Sequence, residues 1–440
     1  MVIKGMSENF HDAAVAVMEG DKLLFASSSE RFSRKKNDRR ICDELRRIPC
    51  DEHIFYEDWR LKNQRRQTYG QREIHYFEDV ECVLHHESHM AAAYYTAPFV
   101  PDVTVVIDAI GEYDTASIWV NHEKVWSRQY PWSLGLFYSA ITKRVGLKPN
   151  EDEYITMGMA AFGKPCINME DVLDEYLHTG IPLKKWFWHK PEDIAASAQM
   201  QLEHELIQIF TEARKYGNKV AYAGGVALNC VANSKLAPMF DKFWIFPNPG
   251  DSGSALGCIL AKTKKRLHYP HTFWGYNIQR KLNINEVVKE LLDKKVVGVA
   301  NGRAEFGPRA LGNRSLLADP RKDVKNYVNS IKRRQKFRPF APAILEEHFD
   351  SYFDGVQNEF MQFVCKAKHD YKSVTHVDGT SRVQVVKDDG SNMRKILECW
   401  YDVTNCPMLL NTSLNIKGQP MVNTWEDAED FMKKYRVKVL

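Results

Sequence analysis

The chain has 440 residues, 44% of them hydrophobic and 27% charged, with 61 basic against 57 acidic side chains and a formal net charge of +4. That length supports more than one buried core, and so mild a positive excess excludes a general nucleic-acid or membrane signature. No apolar run approaches the ~20 residues of a membrane helix, no signal-peptide pattern opens the sequence, and nine cysteines lack paired spacing, so no membrane contact and a reducing, cytoplasmic location are expected.

Val2–Gly5 reads as a short apolar strand that leads through His11 and Asp12 into DAAVAVMEGDKL, an alternating strand, a Glu-Gly turn and the start of another strand. A local basic cluster follows from Arg31 to Arg47. The string VLHHESHMAAAYYTAPF predicts a helix from about Glu87 onward and sets His85 and His89 four residues apart on one face. Two imidazoles so spaced can share one metal, although a hydrogen-bonded core pair satisfies the same pattern. The order His86-Glu87-Ser88-His89 is one residue short of the zinc-protease arrangement, which disfavours that class.

Val103–Asp108 is a second short apolar strand, and DTASIWVNHEKV repeats the first hairpin at an offset of 102, matching Asp12 to Asp114, Ala14 to Ala116 and Lys22 to Lys124. Each copy begins strand, acidic loop, hairpin, which resembles the two lobes of actin and sugar-kinase ATPases; two unrelated hairpins are the alternative. A helical stretch is predicted over Glu192–Lys215. Next, AYAGGVALNCVANSKL places Gly224 and Gly225 between a strand and a helix, where backbone can approach a phosphate or an adenine closely. In PNPGDSGSALGCILA, Asp251 and Ser252 are expected to cap a helix of small residues. Asp108 and Asp251 are carboxylates able to complete a His-His-Asp-Asp site, a mixed nitrogen and oxygen set that suits iron, manganese or zinc.

A boundary is expected near residues 272–282, where HTFWGYNIQRKLNI lacks periodicity before the helical NEVVKELLDKK and the strand VVGVAN. Arg303, Arg309 and Arg314, then Lys332, Arg334 and Arg338, are interleaved with Phe306, Pro308, Phe337 and Pro339. Forked guanidinium groups in that setting suit phosphate oxygens better than a solvated surface does.

The segments FHDAAVAV, ERFSRKKND, HHESHMAAAYY, VVIDAIGEYDTASI, VGLKPNEDEYITMGMAAFG, GGVALNCVAN, GDSGSALG, GRAEFGPRALGNRSLLADPR, FRPFAPAIL and LLNTSLNIKGQP resemble the O-carbamoyltransferases of nodulation-factor and antibiotic tailoring, the NodU/CmcH family. The resemblance implies an α/β chain: a duplicated actin-like ATPase (ASKHA) N-terminal domain over residues 1–275, with lobes of about 1–100 and 101–275, then a threonylcarbamoyl-adenylate-synthase-like α/β domain over 276–440. By motif position His85, His89, Asp108 and Asp251 become metal ligands, and Gly111, Gly224, Gly225 and Asn229 meet the nucleotide or carbamoyl-adenylate in the N-terminal domain. Lys332 and Arg334 fill a lysine-x-arginine pair and Ser413 and Asn415 a serine-x-asparagine pair; with Arg303, Arg309, Arg314 and Arg338 they are expected to hold carbamoyl phosphate and ATP. His11, beside Asp12, is the expected general base.

The implied activity is ATP-dependent O-carbamoyl transfer: carbamoyl phosphate and ATP form carbamoyl-adenylate, whose carbamoyl group passes to a hydroxyl of a sugar, an antibiotic or a hydroxymethyl-pyrimidine nucleotide. ATP is the co-substrate with Mg2+, one further divalent metal is the cofactor, and a homodimer is admitted. Nucleic acid is kept as an acceptor without being required, on the basic cluster and on Trp186-Phe187-Trp188 flanked by Lys184, Lys185 and Lys190. Threonylcarbamoyl transfer to tRNA and an inactive nucleotide-binding scaffold are the competing functions. Ile155 and Gln335 stand where the family usually carries a basic residue and a glutamate, and the region between Gly163 and Ala195 is shortened.

Overall fold

The apolar run at the N-terminus forms β1 (Val2–Ser7), which pairs antiparallel with β2 (Ala14–Glu19), itself paired to β3 (Lys22–Ser28). On the other side β4 (Glu52–Phe55) adds parallel to β1, and β5 (Glu81–Cys82) parallel to β4, giving the order β3-β2-β1-β4-β5. A second sheet repeats the plan with β6 (Val103–Ile107), β7 (Asp114–Val120), β8 (Glu123–Gln129), β9 (Lys219–Ala223) and β10 (Lys242–Ile245), in the order β10-β9-β6-β7-β8. In both, a hairpin flanks the first strand on one side and two parallel strands follow on the other, the duplicated lobe plan of the actin-like ATPase fold. This computed structural model describes residues 1–74, 80–173 and 180–440.

The duplication is not uniform. Ser7 faces Ala14 whereas Ile107 faces Ala116, so the loop of the second copy encloses two more residues, and Asp108 sits in it. Residues 14–18 of β2 are buried throughout, because its apolar alternation meets protein on both faces. The helix Asp251–Thr263 supplies one covering layer. A side chain at Gly5 would come within 1.9 Å of the Ala255 carbonyl oxygen, and one at Gly257 within 2.0 Å of the Ser88 oxygen. Those two glycines therefore let this helix lie against β1 and against the helix His85–Thr96 at backbone contact.

The strands continue as β11 (Phe273–Ile278), β12 (Val296–Ala300), β13 (Gly302–Glu305), β14 (Arg314–Ala318), β15 (Ala341–Leu345), β16 (Phe353–Asp354), β17 (Cys365–Ala367), β18 (Thr380–Ser381), β19 (Gln384–Val386) and β20 (Met408–Ser413). The main sheet runs β12-β14-β20-β15-β19, with β11-β13 and β16-β17-β18 as smaller sheets. Period-two alternation sorts its side chains into two cores. Val296, Ala300, Leu316 and Ala318 meet Val324, Val328, Ala428 and Phe431 on one face. Val297, Val299 and Leu317 meet Val287, Leu291, Ile396, Leu397 and Trp400 on the other. The stretch near residues 272–282, expected as a boundary lacking periodicity, carries β11, an irregular strand whose register shifts between Phe273 and Asn277.

Two units result. Unit 1 comprises Met1–Ser29 and Arg39–Pro270; unit 2 comprises Glu30–Asp38 and His271–Leu440. No helix among the described residues is long and apolar enough to cross a membrane. Residues 174–179, within the shortened stretch, lie outside the described residues.

Candidate active sites

In unit 1 the helix His85–Thr96 begins two residues earlier than its expected start at Glu87, so both histidines lie on it. Asp108 follows β6, and Asp251 opens the helix Asp251–Thr263. Asp251 and Ser252 do not cap that helix as expected: Gly250 is the N-cap, no side chain bonds there, and Ser252 Oγ donates to Asn248 Oδ1 at 2.9 Å. Freed from capping, Asp251 joins the buried cluster. One ligand atom from each of His85, His89, Asp108 and Asp251 lies within 4.8 Å of the others. His85 Nε2 is 2.9 Å from Asp108 Oδ2, 3.2 Å from His89 Nε2 and 3.6 Å from Asp251 Oδ1. His89 Nε2 is 3.4 Å from Asp251 Oδ1 and 3.8 Å from Asp108 Oδ2.

Metal–ligand bonds of about 2.0–2.2 Å in a tetrahedron place ligand atoms about 3.4 Å apart. The observed spacings bracket that value, so the donor set fits a divalent cation. Its electrostatics agree. Burial opposes charge on His85, but Asp108, Asp251 and Glu57 outweigh it and hold the imidazole well above its usual range. Burial would likewise neutralise Asp108, yet His85, His89 and the Gly225 N–H hold its carboxyl well below the usual range. A surplus of buried negative charge is what attracts a cation.

The surroundings of the cluster orient it. Gly224 has φ 97, and a side chain there would meet the Ile107 carbonyl oxygen at 2.1 Å; the Gly-Gly turn thus delivers the Gly225 N–H to Asp108 Oδ1 at 2.9 Å. Gly111 packs against His85 and His86, where a side chain would meet atoms of both at 3.2 Å. Asn229 Oδ1 caps the helix Cys230–Leu236 through the Ala232 N–H, and Asn229 exchanges hydrogen bonds with Gln199. Sequence reasoning missed Glu57, Glu112 and Ser254. Glu112 accepts from the backbone N–H groups of Asp58 and His85, and Ser254 Oγ lies 3.2 Å from His89 Nδ1. Only the general rule that ligating histidines need outer partners pointed to such residues; no local pattern marks them.

His11 Nδ1 lies 2.9 Å from Asp12 Oδ2 in the loop after β1. Burial lowers the affinity of His11 for a proton, but Asp12 first, then Asp251 and Asp108, raise its pKa to about 9. Asp12 itself has φ 56, so this loop carries a non-glycine residue in the left-handed region beside the candidate base.

Unit 2 gathers a second set. Lys332 Nζ donates to Ser413 Oγ at 3.1 Å, to the Asn415 carbonyl at 3.1 Å, to Asn415 Oδ1 at 2.9 Å and to the Ser413 carbonyl. Burial, then Arg334 and Arg338, pushes the Lys332 amine well below its usual range. Arg334 Nε donates to Asn329 Oδ1 at 2.6 Å, and its guanidinium stacks 4.0 Å over the Phe340 ring. Arg303 is exposed, and Arg309 and Arg338 are half-buried. Arg314 departs from expectation. It is 0% exposed, and its donors are spent on the carbonyls of Tyr276, Asn301, Gly302, Asn313 and Asn423, so it fastens loops together instead of facing a substrate.

Nor is the basic cluster from Arg31 to Arg47 a bare positive surface. Arg31 is buried, Arg34 meets Asp427 and backbone carbonyls, Lys36 pairs with Glu30 and Arg46 with Glu8.

Residues 288–440 match the model of the carbamoyltransferase C-terminus, and residues 52–182 and 176–260 that of the carbamoyltransferase N-terminus. The chain belongs to the carbamoyltransferase family and is a transferase. Its relatives are of NodU/CmcH type. The nodulation protein NolO of Bradyrhizobium diazoefficiens is 32% identical over 78% of this chain and 75% of its own length. The 3'-hydroxymethylcephem-O-carbamoyltransferase of Amycolatopsis lactamdurans is 32% identical over 51% of this chain and 49% of its own. Among solved structures, component A of the (R)-2-hydroxyglutaryl-CoA dehydratase of Acidaminococcus fermentans is similar over 60% of this chain and 98% of its own, at 12% identity and a TM-score of 0.40.

Proposed function

We propose that this transferase makes carbamoyl-adenylate in unit 2 and passes its carbamoyl group to an acceptor hydroxyl in unit 1. The observation that carries the reading is that two chemically distinct sets, Lys332–Ser413–Asn415 around a buried lysine and the buried His85–His89–Asp108–Asp251, occur in separate units of one chain. In unit 2, hydrolysis of carbamoyl phosphate releases phosphate and carbamate. A carbamate oxygen then bonds to the α-phosphorus of ATP and the bond to pyrophosphate breaks, with Arg334, Arg338, Arg303 and Arg309 holding phosphate oxygens and Lys332 holding Ser413 and Asn415 in place beside them. Mg2+ accompanies ATP.

In unit 1 the acceptor oxygen bonds to the carbamoyl carbon, the bond from that carbon to the adenylate oxygen breaks, and the acceptor proton goes to His11, oriented by Asp12. His85, His89, Asp108 and Asp251 would hold one divalent cation, iron, manganese or zinc, which when bound supplies concentrated positive charge to polarise a carbonyl and offset a phosphate. Gly111, Gly224 and Gly225, in the turns beside that cluster, and Asn229, at the N-cap of the helix Cys230–Leu236, would meet the nucleotide.

One observation favours an aromatic, anionic acceptor such as a hydroxymethyl-pyrimidine nucleotide over a sugar or an antibiotic. Arg60 stacks 4.8 Å over Trp59, Arg65 5.3 Å over Tyr130 and Arg128 5.5 Å over Trp132, with Tyr69 packed 4.7 Å from Tyr130. Tyr130 is tied by its N–H to the Tyr113 carbonyl in the loop after Asp108. Trp188, 91% exposed, adds a further ring flanked by lysines.

The test is pyrophosphate release from ATP without acceptor. Release that requires carbamoyl phosphate and is lost in Arg334→Ala and Ser413→Ala is expected, followed by carbamoylation of a hydroxymethyl-pyrimidine nucleotide that weakens with salt. Release that requires bicarbonate and threonine would move the chain to threonylcarbamoyl chemistry, and no release at all would leave a nucleotide-binding scaffold.

A further inference from the structure

Among the described residues, Glu57 and Lys62 form a buried ion pair: Glu57 is 0% and Lys62 5% exposed, with Lys62 Nζ 2.5 Å from Glu57 Oε2. A buried pair of this kind is weak grounds for stability, because desolvating two charges offsets most of their attraction and an apolar pair of similar volume often does as well. Its location supplies another reason. The same Glu57 Oε2 lies 3.5 Å from His85 Nδ1, and that nitrogen has no hydrogen-bond partner among the described residues. Besides the cluster contacts at Nε2, His85 is held by its backbone N–H, which donates to both oxygens of Glu112 at 2.9 and 3.2 Å, and by the Tyr56 ring 5.2 Å away. Those contacts fix where the ring sits. Neither fixes which nitrogen carries the proton.

We infer that Glu57 is a positioning residue for the cation site: it takes the Nδ1 proton of His85 in a hydrogen bond, so that the Nε2 lone pair is presented to the cation, and Lys62 holds Glu57 in place for this. A cation ligated at Nε2 requires the proton on Nδ1, and a carboxylate there fixes both tautomer and ring orientation. Lys62 lies one helical turn into Trp59–Thr68 and five residues after Glu57, so the turn between β4 and that helix closes on the pair. His89 receives the milder version of the same support, since Ser254 Oγ faces its Nδ1. The inference rests on the reading of His85, His89, Asp108 and Asp251 as ligands.

The experiment is titration of the cation-free, full-length chain with cobalt(II) alone, read by the visible absorption bands of the bound ion and by competition with a chelator. Wild type is expected to bind one equivalent and His85→Ala to lose it; no binding by wild type would sink the ligand reading itself. Given wild-type binding, Glu57→Gln is expected to weaken cobalt affinity about 10- to 100-fold with altered bands. Because that variant leaves Lys62 buried without its partner, Glu57→Gln/Lys62→Met is measured beside it, with both charges gone. Affinity that stays weak in the double variant supports a role toward His85. Wild-type affinity in Glu57→Gln, or its full recovery in the double variant, would overturn the inference, since Glu57 would then serve only to neutralise Lys62.

Discussion

His11 and Asp12 show how one contact sets a pH profile. A general base acts in its unprotonated form, so the transfer rate is expected to rise with pH as His11 loses its proton, levelling above about pH 9. Asp12 is the leading cause of the raised affinity after burial's opposing effect, so Asp12→Asn should move that rising limb toward lower pH, while Asp251 and Asp108 contribute less once a cation offsets them. Initial rates of acceptor carbamoylation across pH 6 to about 10 check this; a limb that does not move in Asp12→Asn would remove His11 from the reaction. His11→Ala should abolish transfer and leave pyrophosphate release intact. At this scale the sequence is informative where chemistry needs a rare residue type at a fixed spacing, as for His85 and His89. It is silent where an ordinary residue acts through tertiary contact. Arg314 stood among arginines of identical local appearance, and only the loops folded around it show that its donors are spent on carbonyls.

The cluster of unit 1 depends on two helices touching. His85–Thr96 carries both histidines and Asp251–Thr263 carries Asp251, and Gly257 is where they meet, since a side chain there would come within 2.0 Å of the Ser88 oxygen. Alanine in place of a helical glycine ordinarily stabilises by about 1 kcal/mol. Here overlap with backbone at that distance outweighs the gain, because neither helix can yield without moving its ligands. Gly257→Ala is therefore expected to weaken cobalt binding at least 10-fold, on the order of 1.4 kcal/mol, with pyrophosphate release retained. Unchanged cobalt affinity would mean that the helices part elsewhere than at the ligands. The two hairpins were legible as elements because apolar alternation and a turn repeat at a constant offset. The longer second loop was not, since it arises from strand register, which the hairpin pattern leaves free.

Over the whole molecule, chain order and spatial grouping part company at residues 30–38. Read locally, ERFSRKKND opens a basic cluster; in the fold Glu30–Asp38 belongs with unit 2. Arg31 Nη2 donates to the carbonyls of Glu305 and Gly307, each at 3.4 Å, across separations of 274 and 276 residues. Arg34 donates to the Met421 carbonyl at 2.7 Å and faces Asp427 at 3.3 Å. A pairing so distant leaves no periodicity for sequence reasoning to find, and the same distance makes its consequence testable. Arg31→Met keeps the apolar stem but strips donors from buried carbonyls and removes a positive neighbour of buried Glu305, a loss of about 1–3 kcal/mol. The expected result is faster amide hydrogen exchange along β13 and the loop to Arg314, with reduced carbamoyl-phosphate-dependent pyrophosphate release and undiminished cobalt binding. Faster exchange confined to the helix His85–Thr96 would show instead that Arg31 serves the unit next to which it is encoded.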